Sequence, residues 1–248
     1  ENLTIAGLSN TNCYDVQVRA RNIAGNGNSS RESGRPVSVP TAPTITGLVS
    51  GNSSIGVTFT ETADNGGTAL TRYEYRVGTG TWVSLTTDPD FVFGSSTFYR
   101  ITGLTNGNNY SISMRAVNAA GNGAQSNSLT ATPMTTPGIP VISAVAPLDG
   151  ALRVTFTAPA SNGGSAITSY DYSIQPNIWV SITPSTNTFD INGLENGKQY
   201  SIALRANNSR GIGTATALSG PHTPGTVPAS PVIAGTIIGN QTISLILT

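Results

Sequence analysis

The 248 residues carry twelve basic and twelve acidic side chains, a net charge of zero, and only 10% charged residues overall. That balance excludes a basic nucleic-acid footprint and an acidic patch for cations, and no apolar run approaches the roughly 18 residues needed to span a bilayer. One cysteine (Cys13), one histidine (His222) and one lysine (Lys198) leave no intrachain disulfide and few parts for a catalytic or metal centre.

The chain opens on a strand-like pattern, ENLTIAGL, with no charged-then-apolar leader segment before it. Tyr14, Val16, Val18 and Ala20 then alternate with polar residues, which predicts a strand with one face in a core. A proline-rich stretch, RPVSVPTAP (35–43), follows; proline cannot donate to a central ladder, so this is read as a linker running into an edge strand. Ile55, Val57 and Phe59 alternate next, then Tyr73 and Tyr75, then GTWVSL with Trp82. Tyr110, Ile112, Met114 and Ala116 repeat the Tyr14 pattern, and TPMTTPGIP (132–140) repeats the linker.

A second pass through the same elements follows. It runs through Leu152, Val154 and Phe156, the Tyr170/Tyr172 pair, Trp179 in NIWVSI, and Tyr200, Ile202, Leu204 and Ala206. After HTPGTVPASP (222–231) the chain reaches TISLILT, with Ile243, Leu245 and Leu247 in alternation. No stretch shows helical periodicity. The expected class is all-β, with short strands separated by NGG, NG and GNG turns and packed as two antiparallel sheets.

The repeat is explicit in the sequence. GLSNTNCYDVQVRARNIAGNG (7–27) returns as GLTNGNNYSISMRAVNAAGNG (103–123) and GLENGKQYSIALRANNSRGIG (193–213), at offsets of 96 and 90 residues. The expected division is the last part of one unit (1–38), two whole units (39–134 and 135–225) and the first part of another (226–248). Both chain ends are expected to be boundaries within a longer protein.

Leu8 and Tyr14, Leu104 and Tyr110, and Leu194 and Tyr200 each lie six residues apart across turn residues. With the roughly 90-residue period and the proline-rich entry strand, this resembles the tyrosine corner of fibronectin type III domains. The resemblance implies tandem immunoglobulin-like, seven-stranded β-sandwiches, in which the corner tyrosine packs inward and its hydroxyl bonds back to the turn. It covers the whole chain. One feature departs from the family: the usual strand-B tryptophan is replaced by Phe59 and Phe156, while Trp82 and Trp179 follow strand C. That pattern is similar to bacterial members and implies a microbial or viral source.

Candidate sites are few. His222 is read as lying in a linker, without partners for a Ser-His-Asp relay. The twelve acids are scattered along the chain, and only Glu74 and Asp171 recur at a matching position, read as outward-facing. Asp88 and Asp90 fall short of the six to eight oxygens calcium takes. Lys198 lies in a turn, which argues against an isopeptide cross-link, and no Arg-Gly-Asp tripeptide occurs in the F–G turns. Arg19, Arg115 and Arg205 share one strand-F position; they could meet an anionic glycan or a neighbouring fibre, and more often such a residue pairs with a cross-strand acid. Trp82 and Trp179 could stack on a sugar or pack against protein. Cys13 is expected to be exposed, and the six Asn-X-Ser/Thr triplets suit so Asn- and Thr-rich a chain.

The expectation is a non-enzymatic, extracellular or cell-surface repeat segment without cofactors. It would act as a semi-rigid spacer or a fibre-forming, adhesive array. The alternatives are a virion component, such as a phage tail fibre or capsid appendage, and a spacer module of a secreted polysaccharide-degrading enzyme. Its partners would be neighbouring repeats of the chain and, beyond them, other copies in a fibre or glycans, with neither nucleic acid nor membrane insertion.

Overall fold

A computed structural model describes residues 2–85, 97–176, 178–228 and 230–247, so Asp88 and Asp90 lie outside the described residues. The described residues form strands and turns without an α-helix, and they cluster into two compact units. One is Glu1–Thr135 with Gly163–Ser165, the other Thr136–Asn162 with Ala166–Thr248.

In the first unit, β1 (Tyr14–Asn22) and β2 (Gly25–Gly34) form an antiparallel hairpin. A sandwich follows. One sheet orders β3 (Thr44–Gly51), β4 (Ser54–Thr60) and β7 (Phe98–Thr102) side by side. The other runs β10 (Leu129–Ala131), β8 (Tyr110–Asn118), β5 (Leu70–Val77) and β6 (Val83–Ser84), with β9 (Gly121–Asn122) also on β8. The period of two explains the core, because residues that alternate inward from both sheets meet there. Ile55, Val57, Phe59, Tyr73, Ile101, Ile112, Met114 and Ala116 are all buried.

The second unit repeats this plan. β11 (Val141–Leu148), β12 (Ala151–Thr157) and β15 (Thr188–Asn192) form one sheet. β14 (Ile178–Ile182), β13 (Ile167–Gln175) and β16 (Tyr200–Asn208) form the other, with β17 (Gly211–Ile212) and β18 (Ser219–His222) both on β16. Leu152, Val154, Phe156, Ile191, Ile202, Leu204 and Ala206 close its core. Phe156 packs edge-on to Tyr170, with ring centroids 4.7 Å apart, as Phe59 does to Tyr73 at 5.2 Å. The phenylalanines that replace the expected strand-B tryptophan therefore sit at the centre of each core. A last hairpin joins β19 (Ile233–Gly239) to β20 (Thr242–Leu247).

Several expectations need correction. The segment 2–13 is not a strand, although its counterparts β7 and β15 are. Those strands are held by pairing to β4 and β12, and among the described residues no strand lies beside segment 2–13. The β1–β2 and β19–β20 hairpins are two-stranded sheets, and in them Val18 is 57% exposed, Ile243 70% and Leu245 54%. Alternation marks the face that would be buried; burial itself needs an opposing sheet. His222 is not in a linker, because it ends β18 and pairs with Tyr200.

Glycine matters where backbones cross. A Cβ on Gly123 would lie 2.6 Å from the Pro40 carbonyl oxygen, and one on Gly213 would lie 2.6 Å from that of Pro137. Each proline-rich entry segment thus runs directly over the glycine turn of its own sandwich.

Candidate functional site

The recurring polar feature lies on the outer face of the β5–β8 and β13–β16 sheets. Alternation that sends Tyr73 and Tyr75 inward sends Arg72, Glu74 and Arg76 outward. Glu74 is the cross-strand partner of Arg115, and Asp171 of Arg205. The sequence places both acids on the outward face of their strands, where they stand, yet they are only 6% and 7% exposed. A guanidinium and an indole laid over each one exclude water from an outward position.

In the first sandwich Glu74 receives Arg72 Nε at 2.7 Å on one oxygen, and Arg115 Nε at 2.7 Å on the other. Burial pushes the Glu74 carboxyl up, but the hydrogen bonds and charges of Arg72 and Arg115 outweigh it and hold the group below its usual value of 4.5. Trp82 then covers the cluster, with Arg115 4.3 Å and Arg76 4.7 Å from the indole centroid. In the second sandwich Arg205 Nε donates to Asp171 at 2.9 Å and its guanidinium lies 3.9 Å from the Trp179 centroid. Such cation–π contacts contribute roughly 0.5–2 kcal/mol, more as they lose water.

Each sandwich therefore brings one tryptophan together with one of the recurring arginines, and a guanidinium already occupies an indole face in both. Arg19 holds the matching place on β1, opposite Ser29, and is exposed. Sequence inspection missed Arg72, Arg76 and Asn207, whose side-chain amide donates to Asp171 at 2.9 Å. The signal was available: each faces the acid's neighbourhood from a cross-strand or next-but-one position.

The six corner residues bracket the turns that lead into β1, β8 and β16, each tyrosine being the first residue of its strand. Tyr14, Tyr110 and Tyr200 hydroxyls accept hydrogen bonds from the backbone amides of Ser9, Thr105 and Glu195, at 2.9, 3.0 and 3.1 Å. Leu104 packs on the first core and Leu194 on the second, while Leu8 is half-buried. Lys198 is exposed and pairs with Glu195 at 3.1 Å.

His222 Nε2 lies 3.0 Å from the Ser219 hydroxyl, three residues away, and no carboxylate joins that pair among the described residues. Nor do those residues contain a group of three or more His, Cys, Asp or Glu side chains placed to hold a metal ion. Cys13 is exposed.

Comparison with known proteins fits this architecture. The fibronectin type III domain model matches residues 38–132 and 141–219. The chain belongs to the fibronectin type III family. It is 32% identical over 153 residues to Endoglucanase B of Cellulomonas fimi, a match that takes in 57% of this chain and 14% of that protein. It is also similar, at 17% identity and a TM-score of 0.39, to the crystal structure of the chicken CNTN1 FN1–FN3 domains, covering 85% of this chain and 76% of that one.

Proposed function

We propose that this chain is a non-enzymatic spacer array of an extracellular protein, and that the domain it positions acts on polysaccharide. The observation that carries the reading is the 32% identity to part of Endoglucanase B, confined to 14% of that protein's length. A stretch that small is a module of the larger enzyme. The fold agrees in kind. Each sandwich closes its own core, the segments between them are proline-rich and favour extended backbone, and the polar clusters are spent on covering sheet faces. An array of this design supplies reach. The adhesive and virion readings draw on the same fold, and no observation favours them over the spacer.

The test joins a glucanase catalytic domain to this chain and shortens the chain by whole repeats. Hydrolysis of a soluble oligosaccharide should stay constant, while hydrolysis of an insoluble polymer should fall as repeats are removed. Hydrolysis by the repeats alone would overturn the non-enzymatic reading. Retention of the repeats alone on the polymer, abolished by Trp82→Ala or Trp179→Ala, would replace the spacer with a carbohydrate-binding role.

A further inference from the structure

The turn before Tyr14 and the NGG turn at 65–67 belong to successive repeats of the sequence, and they meet. A Cβ on Gly67 would lie 2.2 Å from the Asn10 carbonyl oxygen and 3.3 Å from its Cβ. Backbone therefore rests on backbone at a spot where only glycine leaves room, and Gly67 has a φ of +80°, which also suits glycine. Between them runs Ser38, the residue at which the linker enters the second repeat, and it is held from three directions. Its amide donates to the Gly66 carbonyl at 2.9 Å, its carbonyl accepts from the Asn118 amide at 2.7 Å, and its hydroxyl accepts from Asn10 Nδ2 at 2.9 Å. Two of these bonds tie the linker to the repeat that follows, and the third ties it to the repeat before.

We propose that Asn10, Ser38 and Gly67 form a built joint that fixes the angle between one repeat and the next, its partner surface being the preceding repeat of the same chain. A linker clamped at a hydroxyl by one repeat and at both backbone groups by the other loses the swivel that an unanchored peptide keeps. The sequence writes the same parts again 96 or 97 residues on, with Asn106 for Asn10, Thr135 for Ser38 and Gly164 for Gly67. The exchange of Ser38 for Thr135 keeps the hydroxyl, and both glycines of the turn recur. This inference deepens the spacer reading and rests on it only for its purpose, since a fixed angle is what makes a string of sandwiches hold its reach.

The joint can be read in the full chain by the distance between two spin labels. One sits on Cys13, the lone cysteine and exposed; the other on Thr79→Cys, in the exposed turn after β5. The parent should give one narrow distance distribution. Gly67→Ala and, separately, Asn10→Ala should each lose that single peak, with the folded amide spectrum retained. Gly103→Ala separates the joint from backbone strain, because Gly103 has a φ of +75° and nothing within 4 Å of its Cβ position; it should leave the peak in place. Should Gly67→Ala fail to fold, Asn10→Ala decides, since it removes only a half-buried side chain. A broad distribution in the parent, or an unchanged peak in Asn10→Ala with or without an unchanged peak in Gly67→Ala, overturns the joint. Loss of the peak alongside a failed glucanase-truncation experiment would keep the joint and remove the spacer reading.

Discussion

The two complete sandwiches solve one problem with different residues. Each buries an acid on the outer face of a sheet, and each must give that acid a second hydrogen-bond donor beside the strand-F arginine. The first draws it from β5: Arg72 reaches Glu74, and its cross-strand neighbour is the apolar Val117. The second draws it from β16: the Arg72 position is Ser169, the Val117 position is Asn207, and Asn207 donates to both Asp171 and Ser169. The donor has changed strands while the acid stayed satisfied. What persists between repeats is therefore the cross-strand arginine and the demand of a buried carboxylate for a second donor, and not the side chain that supplies that second donor.

The largest expected effect lies beneath this cover. Phe59→Ala and Phe156→Ala should each destabilise their own sandwich by about 3–5 kcal/mol, the range for emptying a buried aromatic site. Amide exchange in β8 and β16 measures the two separately. A much smaller loss at either site would mean that its core collapses to fill the space. Next in size is Glu74→Ala. Breaking a fully buried pair takes roughly 3–5 kcal/mol; here Arg72 and Arg115 side chains keep 38% and 19% exposure, so about 2–3 kcal/mol is expected.

The same carboxylate predicts a pH dependence. Its folded-state value lies below the usual 4.5, so its contribution is fully present above pH 4.5 and is lost as the pH falls through that lower folded value. Acid titration of β8 amide protection should show this loss, and Glu74→Gln should flatten it. A protection profile that is level below pH 4.5 in the parent would separate the carboxylate from the stability of the sheet.

The exchange of donors can be broken directly. Arg72→Ser and Val117→Asn should each destabilise the first sandwich by about 1 kcal/mol, through a lost charge-assisted bond or a new polar group. The double substitution rebuilds the Ser169–Asn207 arrangement and should recover part of the loss, as residues in one network couple by roughly 0.5–3 kcal/mol. Strict additivity would show that Glu74, one methylene longer than Asp171, cannot use the second arrangement.

How much of this was legible beforehand follows from what each feature depends on. The fold was written in local periodicity: Ile55, Val57 and Phe59 alternate, so their strand and its inward face follow from the residues alone. The tyrosine spacing likewise carries its turn. The burial of Glu74 was not legible, because alternation correctly placed it outward and only the tertiary positions of Trp82 and Arg115 cover it. The exposure of Leu245 was illegible for the converse reason, since alternation marks an inward face and the described residues set no second sheet against the β19–β20 hairpin. Asn207 went unread because its counterpart is a valine, and a comparison that seeks identical residues passes over a donor that has moved to another strand.

The smallest expected effect belongs to the opposite sheet, where the repeats diverge again. Arg153 pairs with Asp190 across β12 and β15 through two bonds of 2.8 Å, with side-chain exposures of 54% and 32%. The same positions in the first sandwich are Gly56 and Arg100, and the ring of Phe98 lies over the glycine, 2.7 Å from where a Cβ would stand. An exposed ion pair contributes little, because water and salt screen it, and two parallel bonds make this one better held than most. Arg153→Ala should therefore destabilise the second sandwich less than any of the buried-site substitutions, read from amide exchange in β12. The difference should shrink between low and high salt, because exposed charges are screened. Protection in β4 should show no matching salt response, since an aromatic ring on a glycine carries no charge to screen. An Arg153→Ala effect that ignores salt would assign the contribution to the aliphatic stem lying on the sheet, and the two repeats would then cover this face by the same apolar means.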